Sequence, residues 1–149
     1  MNQTNHEENT ILLQAGVSVL LLTLVLAWTL AFARIFPIEL IADSVKDYDR
    51  LVQGHIDYLL MGALLLGFYG ARVPLPVTVR SAMAIGAFTN PAGFIYFAFW
   101  PEGLNLAIQV ATICSFIITS YGFGMACILA LRSTLNRDAG AAAGEPAPS

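Results

Sequence analysis

Four long apolar stretches, separated by short polar segments, account for most of this chain. They cover residues 10–36, 54–73, 77–100 and 104–131. A helix needs about 20 consecutive apolar residues to cross a bilayer, and each stretch meets that length. A transmembrane β-barrel would instead show short segments of alternating polarity, and no such pattern is visible. The sequence therefore predicts an all-α integral membrane protein, a bundle of four transmembrane helices.

The segments outside these spans are polar. The leader, residues 1–9, carries Glu7 and Glu8 but neither Lys nor Arg, so the first span is predicted to be a retained helix and not a cleaved signal peptide. The loop 37–53 mixes charged and aliphatic residues, which predicts a short interfacial amphipathic segment. The segment 132–149 ends in a stretch rich in Ala, Gly and Pro and is predicted to be a disordered tail.

Composition and charge agree with a membrane protein and suggest its orientation. Hydrophobic residues make up 57% of the chain and charged residues only 11%, which is typical of the membrane class. With four spans, the side of both termini holds Arg72, Arg80, Arg132 and Arg137, against Arg34, Lys46 and Arg50 on the other side. The positive-inside rule then favours termini in the cytoplasm.

The run Gly54-His55-Ile56-Asp57 places two ionisable side chains at one end of the second span. Ionisable groups at a bilayer boundary are costly to desolvate, so they are candidates for function. On helical spacing the two side chains point about 200° apart and do not form an acid–base pair within one helix. Asp57 suits a helix N-terminus, where the dipole favours an anion. His55 is either satisfied by a neighbouring carbonyl or an axial ligand to a metal or haem.

The third span carries a small, weakly polar face formed by Ala82, Gly86, Asn90 and Gly93. Small residues at this spacing let a helix or a flat ligand approach closely. Asn90 is the one strongly polar side chain near mid-span, and Pro91 after it removes a backbone donor. A kink beside a buried amide can form a cavity, whereas the alternative is that Asn90 only holds helices together.

The other notable residues of the second and fourth spans predict packing. Glycines at small-residue spacing are predicted to be close-packing positions; they are Gly62, Gly67, Gly70, Gly122 and Gly124. Cys114 and Cys127 lie about 20 Å apart along the fourth span, too far for an intrahelical disulfide, and a CxxC metal signature is absent. The chain shows no nucleotide loop or catalytic triad, and no nucleic acid partner is expected.

Two segments resemble the family of styrene oxide isomerases and hydroxylaminobenzene mutases, which are small four-span membrane isomerases. The run from His55 to Gly62 is similar to the start of the family's second span, where a histidine is followed seven positions later by a glycine. The run Phe88-Thr89-Asn90-Pro91-Ala92-Gly93-Phe94 is similar to the family's third span, which carries Asn in an aromatic stretch. The resemblance also covers the hydropathy of all four spans.

The chain departs from this family at two positions. Met61 stands where the isomerases have an asparagine just before the glycine. The family's tyrosine after the asparagine falls at or near Phe94, and only a shifted alignment matches it to Tyr96.

The resemblance implies a ferric haem b held between the subunits of a homotrimer, with His55 as the axial iron ligand. It implies an isomerase in which iron acts as a Lewis acid and converts an aryl epoxide to an aldehyde. Asn90 and Tyr96 would be catalytic, and the pocket would include Asp57, Met61, Gly62, Gly86 and Phe94. The expected partners are a small apolar aromatic substrate and the lipid bilayer, in the inner or plasma membrane of a bacterium.

Three alternatives stay open at this stage. An aryl hydroxylamine mutase uses the same fold and cofactor in the family that the chain resembles. A haem-binding or small-molecule-binding membrane protein, such as a sensor or carrier, would need His55 but no catalysis. A structural subunit of a larger membrane complex would use His55 and Asn90 only to hold helices together.

Overall fold

A computed structural model describes residues 9–142 of the chain, with side chains through Asn136. This part is helical, without strands, and its α-helices are α1 Thr10–Leu30, α2 Glu39–Ser44, α3 Tyr48–Ala71, α4 Val77–Phe99 and α5 Leu106–Ala142. All except α2 are long and apolar enough to cross a membrane. The chain is an all-α four-helix membrane bundle, which confirms the prediction from hydropathy.

The first long helix ends within one residue of the predicted span, whereas the second begins earlier than predicted. One turn of π-helix, Ala31–Ile35, continues α1. Helix α3 begins at Tyr48, well before the predicted start at residue 54. The reason is a cap: the Asp47 carboxylate accepts a hydrogen bond from the backbone N–H of Arg50 at 3.0 Å, which satisfies a donor that the first turn leaves open.

The last helix is longer than predicted. It begins after Asn105, whose side-chain oxygen accepts a hydrogen bond from the backbone N–H of Ile108 at 3.0 Å. It then continues to Ala142, so the prediction of disorder is wrong for residues 132–142. Alanine is the strongest helix former, and a helix that is already formed extends at low cost. Residues 1–8 and 143–149, which include most of the predicted leader and the end of the predicted tail, lie outside the described residues.

The loop between the first two spans is attached to the end of α4. It contains the short helix α2 where the sequence predicted an interfacial segment. After α2, the backbone N–H groups of Lys46 and Asp47 both donate to the carbonyl of Ala98, at 2.9 and 3.0 Å. These bonds set the position from which α3 starts.

Consecutive transmembrane helices pack side by side: α1 on α3, α3 on α4, and α4 on α5. Helix α1 also touches α4, whereas α5 makes only marginal contacts with α1 and α3. Helix α5 therefore depends on α4 for almost all of its packing, and α4 separates it from the α1–α3 pair.

Glycines allow the close approach of α1 and α3. A Cβ added at Gly16 would come within 2.9 Å of the Leu66 side chain, and one added at Gly62 within 2.8 Å of Leu20. These distances are shorter than van der Waals contact, so larger residues would push the helices apart. The predicted packing role of Gly62 is confirmed.

Glycines serve α4 and α5 in the same way. A Cβ at Gly86 would lie 2.8 Å from the Cα of Thr119, and one at Gly122 would lie 2.6 Å from the backbone nitrogen of Met83. Both glycines are thus required by a neighbouring backbone, which cannot move aside as a side chain can. The predicted small face of α4 is the surface on which α5 packs.

Three other glycines do not pack within the chain. A Cβ at Gly67, Gly70 or Gly124 would meet nothing within 4 Å in the described structure. These three glycines were predicted to be close-packing positions, but they lie on helix faces that no described helix of the same chain covers.

Candidate functional site

His55 lies in the third turn of α3, half-buried at the contact with α1. Its Nδ1 is 3.1 Å from the backbone carbonyl oxygen of Thr23. A carbonyl oxygen can only accept, so Nδ1 carries a proton, and in the neutral ring Nε2 is the nitrogen with the lone pair. The carbonyl partner that the sequence allowed is present, and the same bond is the one that orients metal-binding histidines.

The local sequence of α1 positions this carbonyl. Thr23 is buried, and its hydroxyl donates to the backbone carbonyl of Val19 at 2.9 Å, while a carbonyl oxygen has a second lone pair with which the Thr23 carbonyl can accept from α3. The close approach at Gly62 brings the two helices near enough for the ring of His55 to reach it. The hydrogen bond of His55 is therefore a product of helix packing.

Asp57 is half-buried in the same turn of α3, and no hydrogen bond or ion pair of this side chain occurs between residues 9 and 136. Its predicted role at the helix N-terminus is wrong, because α3 begins at Tyr48. That position is taken by Asp47, which caps the helix, and by Asp49 in the first turn.

A cavity of about 410 Å³ lies between α4 and α5. Its lining includes Asn90, Gly93 and Tyr96 from α4 and Thr112 and Ser115 from α5. The structure thus brings together Asn90 and Tyr96, the two residues predicted to be catalytic. Most of the remaining surface is aliphatic, a combination that suits a small apolar ligand with one polar group.

Asn90 is the polar group in this cavity that is free to bind a ligand. Its side chain is half-buried, and within the described part of the chain its amide makes no hydrogen bond. The hydroxyls of Thr89 and Ser115 are instead 2.7 Å apart and bond to each other across the α4–α5 contact. An amide can donate and accept at once, so Asn90 can bind either an oxygen or an N–H or O–H group of a ligand.

Tyr96 is held in place by the end of its own helix. Its hydroxyl donates to the carbonyl of Gly103 at 3.2 Å, and its ring stacks on Trp100 with 5.6 Å between centroids. Trp100 is exposed, as expected for a residue at the membrane boundary. The Tyr96 oxygen can still accept a hydrogen bond from a ligand, but its proton is already committed.

His55 does not line this cavity. The other residues that the sequence assigned to the substrate or cofactor pocket do not line it either; they are Asp57, Met61, Gly62, Gly86 and Phe94. Gly62 and Gly86 are packing positions instead. Phe94 lies beneath the guanidinium of Arg50, 5.9 Å from the ring centroid, and Met61 packs against the core. Within one chain, His55 and the Asn90 cavity lie on different helix pairs.

Sequence reasoning missed Tyr58, which is almost fully buried and donates its hydroxyl to the carbonyl of Phe88 at 2.8 Å. This bond joins α3 to α4 just before Pro91, where the helix lacks a backbone donor. No pattern in the sequence identifies the partner. The polar side of the cavity carries a signal that could have been found, because Thr112 and Ser115 are three residues apart on α5.

The side chains present fit one kind of metal centre. The described residues contain no group of three or more His, Cys, Asp or Glu side chains that could hold a metal ion. A haem needs much less from the protein, since the porphyrin supplies four nitrogen ligands and a single histidine completes the proximal side. The Nε2 lone pair of His55 meets that requirement.

No protein-family model, curated protein or solved structure matches this chain. The resemblance to the styrene oxide isomerases therefore stays a prediction that rests on residues 55–62 and 88–94. The predicted resemblance is supported only by the types of side chain at those positions.

Proposed function

We propose that this chain is a membrane haem protein that isomerises an aryl epoxide to an aldehyde, with His55 as the iron ligand. The observation that carries the proposal is the hydrogen bond from His55 Nδ1 to the Thr23 carbonyl. In the neutral ring it leaves the lone pair of Nε2 in a fixed orientation for iron, and Leu59, one turn further along α3, is 46% exposed. A second partner that fixes the tautomer is the usual companion of a metal-binding histidine.

The residues of the chain have separate tasks in this reaction. A ferric haem, when bound, supplies a Lewis acid that polarises the C–O bond of the epoxide. Asn90 can donate an amide hydrogen to the substrate oxygen as negative charge develops on it. The aliphatic walls of the α4–α5 cavity keep water from the reactive carbon, and Tyr96 closes the end of the cavity.

We further propose that the functional unit is a homotrimer, because His55 and the cavity lie on different helix pairs. The exposed face of α3 carries Ala63, Gly67 and Ala71 at four-residue steps, and a Cβ added at Gly67 would meet no described atom within 4 Å. Small residues on a lipid-facing helix allow a second copy to pack closely. A head-to-tail contact with a three-fold rotation closes into a ring, and in the proposed trimer His55 of each subunit faces the cavity of the next.

A second candidate is a non-catalytic haem protein. It is favoured by Met61 and Phe94, which are apolar where the family has polar side chains. In this case His55 would hold haem in the same way, and Asn90 would serve only the packing of α4.

The first test is a Soret absorption band in protein purified in detergent from haem-supplemented cells. We expect the wild-type protein to show it and His55→Ala to lose it. The matched control is His6→Ala, which removes the only other histidine of the chain and is expected to keep the band. A wild-type protein that takes up no haem, or a His55→Ala protein that keeps it, contradicts the proposal.

The second test separates the two candidates. Haem-loaded protein is incubated with styrene oxide, and phenylacetaldehyde is measured. Product formation supports the isomerase. A full haem content without product from several aryl epoxides or from hydroxylaminobenzene supports the non-catalytic candidate.

A further inference from the structure

The edge of the bundle at which α1 begins and α5 ends contains a buried arginine. Arg80 lies in the first turn of α4 and is only 5% exposed. Its Nε is buried and has no hydrogen-bond partner in the described structure. A buried guanidinium without a counter-ion is strongly destabilising, and such charges are normally paired.

The backbone around Arg80 also favours a negative ligand. Pro76 occupies the N-cap position of α4, and no side chain caps the helix. The first intrahelical bond is donated by the Arg80 N–H to the Pro76 carbonyl at 3.1 Å. The N–H groups of residues 77–79 come before it and have no acceptor within the helix. Open amides and the positive end of the helix dipole together attract anions.

The described side chains offer Arg80 no carboxylate at this edge. Arg72 and Arg132 lie on the same side of the bundle and are exposed. Every acidic residue between 9 and 136 lies in the half of the bundle that faces the opposite edge: Glu39, Asp43, Asp47, Asp49, Asp57 and Glu102. No described side chain therefore supplies the counter-ion of Arg80.

We propose that Arg80 and the first turn of α4 bind the phosphate of a membrane phospholipid headgroup. The turn lies where a transmembrane helix enters the bilayer, which is the depth of the headgroup phosphates. A guanidinium matches phosphate oxygens with two parallel hydrogen bonds, and basic sites between transmembrane helices bind anionic lipids in this way. Val77 and Ile85 of α4 are more than half exposed, so apolar surface for acyl chains lies next to the site.

The test uses lipid-depleted, full-length protein in detergent, with its thermal unfolding midpoint as the readout. The added probes are phosphatidylglycerol, a diacylglycerol with the same acyl chains, and inorganic phosphate. We expect only phosphatidylglycerol to raise the midpoint of the wild-type protein. In Arg80→Gln the apparent lipid affinity should fall roughly tenfold or more, whereas Arg132→Gln, an exposed arginine at the same edge, should respond as the wild type does.

Three results overturn the proposal. If phosphatidylglycerol raises the unfolding midpoint of wild type and Arg80→Gln equally, Arg80 is not part of the lipid site. An equal response to inorganic phosphate shows that the ligand is a free anion. A Glu7→Gln/Glu8→Gln protein that loses as much stability as Arg80→Gln, with no added loss when the changes are combined, shows that the chain supplies its own carboxylate.

A second variant covers the case in which Arg80→Gln does not fold. Arg80→Lys keeps the charge but loses the planar fork of the guanidinium. In native mass spectrometry, we expect it to release bound phosphatidylglycerol at lower collision energy than the wild type. Equal retention by the two proteins would contradict the proposed site.

Discussion

The Thr23 carbonyl makes His55 more than a polar residue at a membrane edge. With the proton held on Nδ1 at 3.1 Å, the ring has one orientation and one free nitrogen. The sequence identified His55 as a candidate and left its partner open. That partner is on another helix, 32 positions away, and it follows from the register of α1 against α3, which no short motif encodes.

Asn90 is predicted to contribute to substrate turnover and not to haem binding. In Asn90→Ala the turnover of an aryl epoxide should fall by about 10²-fold, because a hydrogen bond to developing negative charge is lost, while the Soret band stays unchanged. Thr89→Val is the matched control, since Thr89 lines the same cavity but its hydroxyl is already bonded to Ser115. Equal losses of turnover and haem in Asn90→Ala would show that Asn90 is structural.

Tyr58 is predicted to stabilise the fold. Removing its hydroxyl in Tyr58→Phe leaves the Phe88 carbonyl without this partner and should lower the free energy of unfolding by about 1 kcal/mol. The measurement is reversible unfolding in mixed detergent micelles. Tyr121→Phe, at a tyrosine that is 49% exposed, should change little, and a similar loss in both variants would argue against a special role for Tyr58.

At the scale of helices, the existence of the four spans was predictable, because apolar length alone determines them in a bilayer. The residues at which the four helices begin and end were less predictable. The spans were placed by hydropathy, but Asp47 and Asn105 start helices through side-chain hydrogen bonds that hydropathy does not register. The early start of α3 is also why Asp57 lies inside the helix and not at its end.

Two glycines on the same face of α4 should respond differently to one added methyl group. A Cβ at Gly86 would meet the Thr119 backbone, whereas one at Gly93 would have its nearest neighbour, the Thr112 hydroxyl, at 4.0 Å. We expect Gly86→Ala to lower the free energy of unfolding by about 1–3 kcal/mol through overpacking. Gly93→Ala should be neutral or stabilising, since Ala favours a helix over Gly by about 1 kcal/mol. Equal effects in a detergent unfolding assay would contradict the α4–α5 packing.

At the scale of the whole molecule, the exposed face of α3 is the surface predicted to join subunits. Gly67→Leu should leave the helical content unchanged but shift the protein from trimer to monomer in native mass spectrometry, because the added side chain blocks a close contact. Gly62→Leu is the contrasting variant, since its side chain would collide with Leu20 in the same chain, and it should reduce the stability of the monomer itself. A trimer that persists in Gly67→Leu would place the interface elsewhere.

The separation of His55 from the α4–α5 cavity was not predictable from the sequence. The sequence placed His55 at one end of the second span and Asn90 near the middle of the third, and the family resemblance joined them with Tyr96 into one pocket. The structure shows that α4 lies between His55 and the cavity, because α5 packs on α4 and hardly touches α1 or α3. Which helices are neighbours is set by side-chain fit at positions such as Gly86, and hydropathy does not report it.

This separation has a genetic consequence. If each site takes His55 from one subunit and Asn90 from the next, two inactive alleles can rescue each other when they are expressed in the same cell. Random mixing of His55→Ala and Asn90→Ala subunits should restore roughly a quarter of the sites, measurable as epoxide turnover by the co-purified mixture. A site formed within one chain gives no such complementation. Co-expression of the two inactive variants therefore distinguishes a site shared between subunits from a site within one chain.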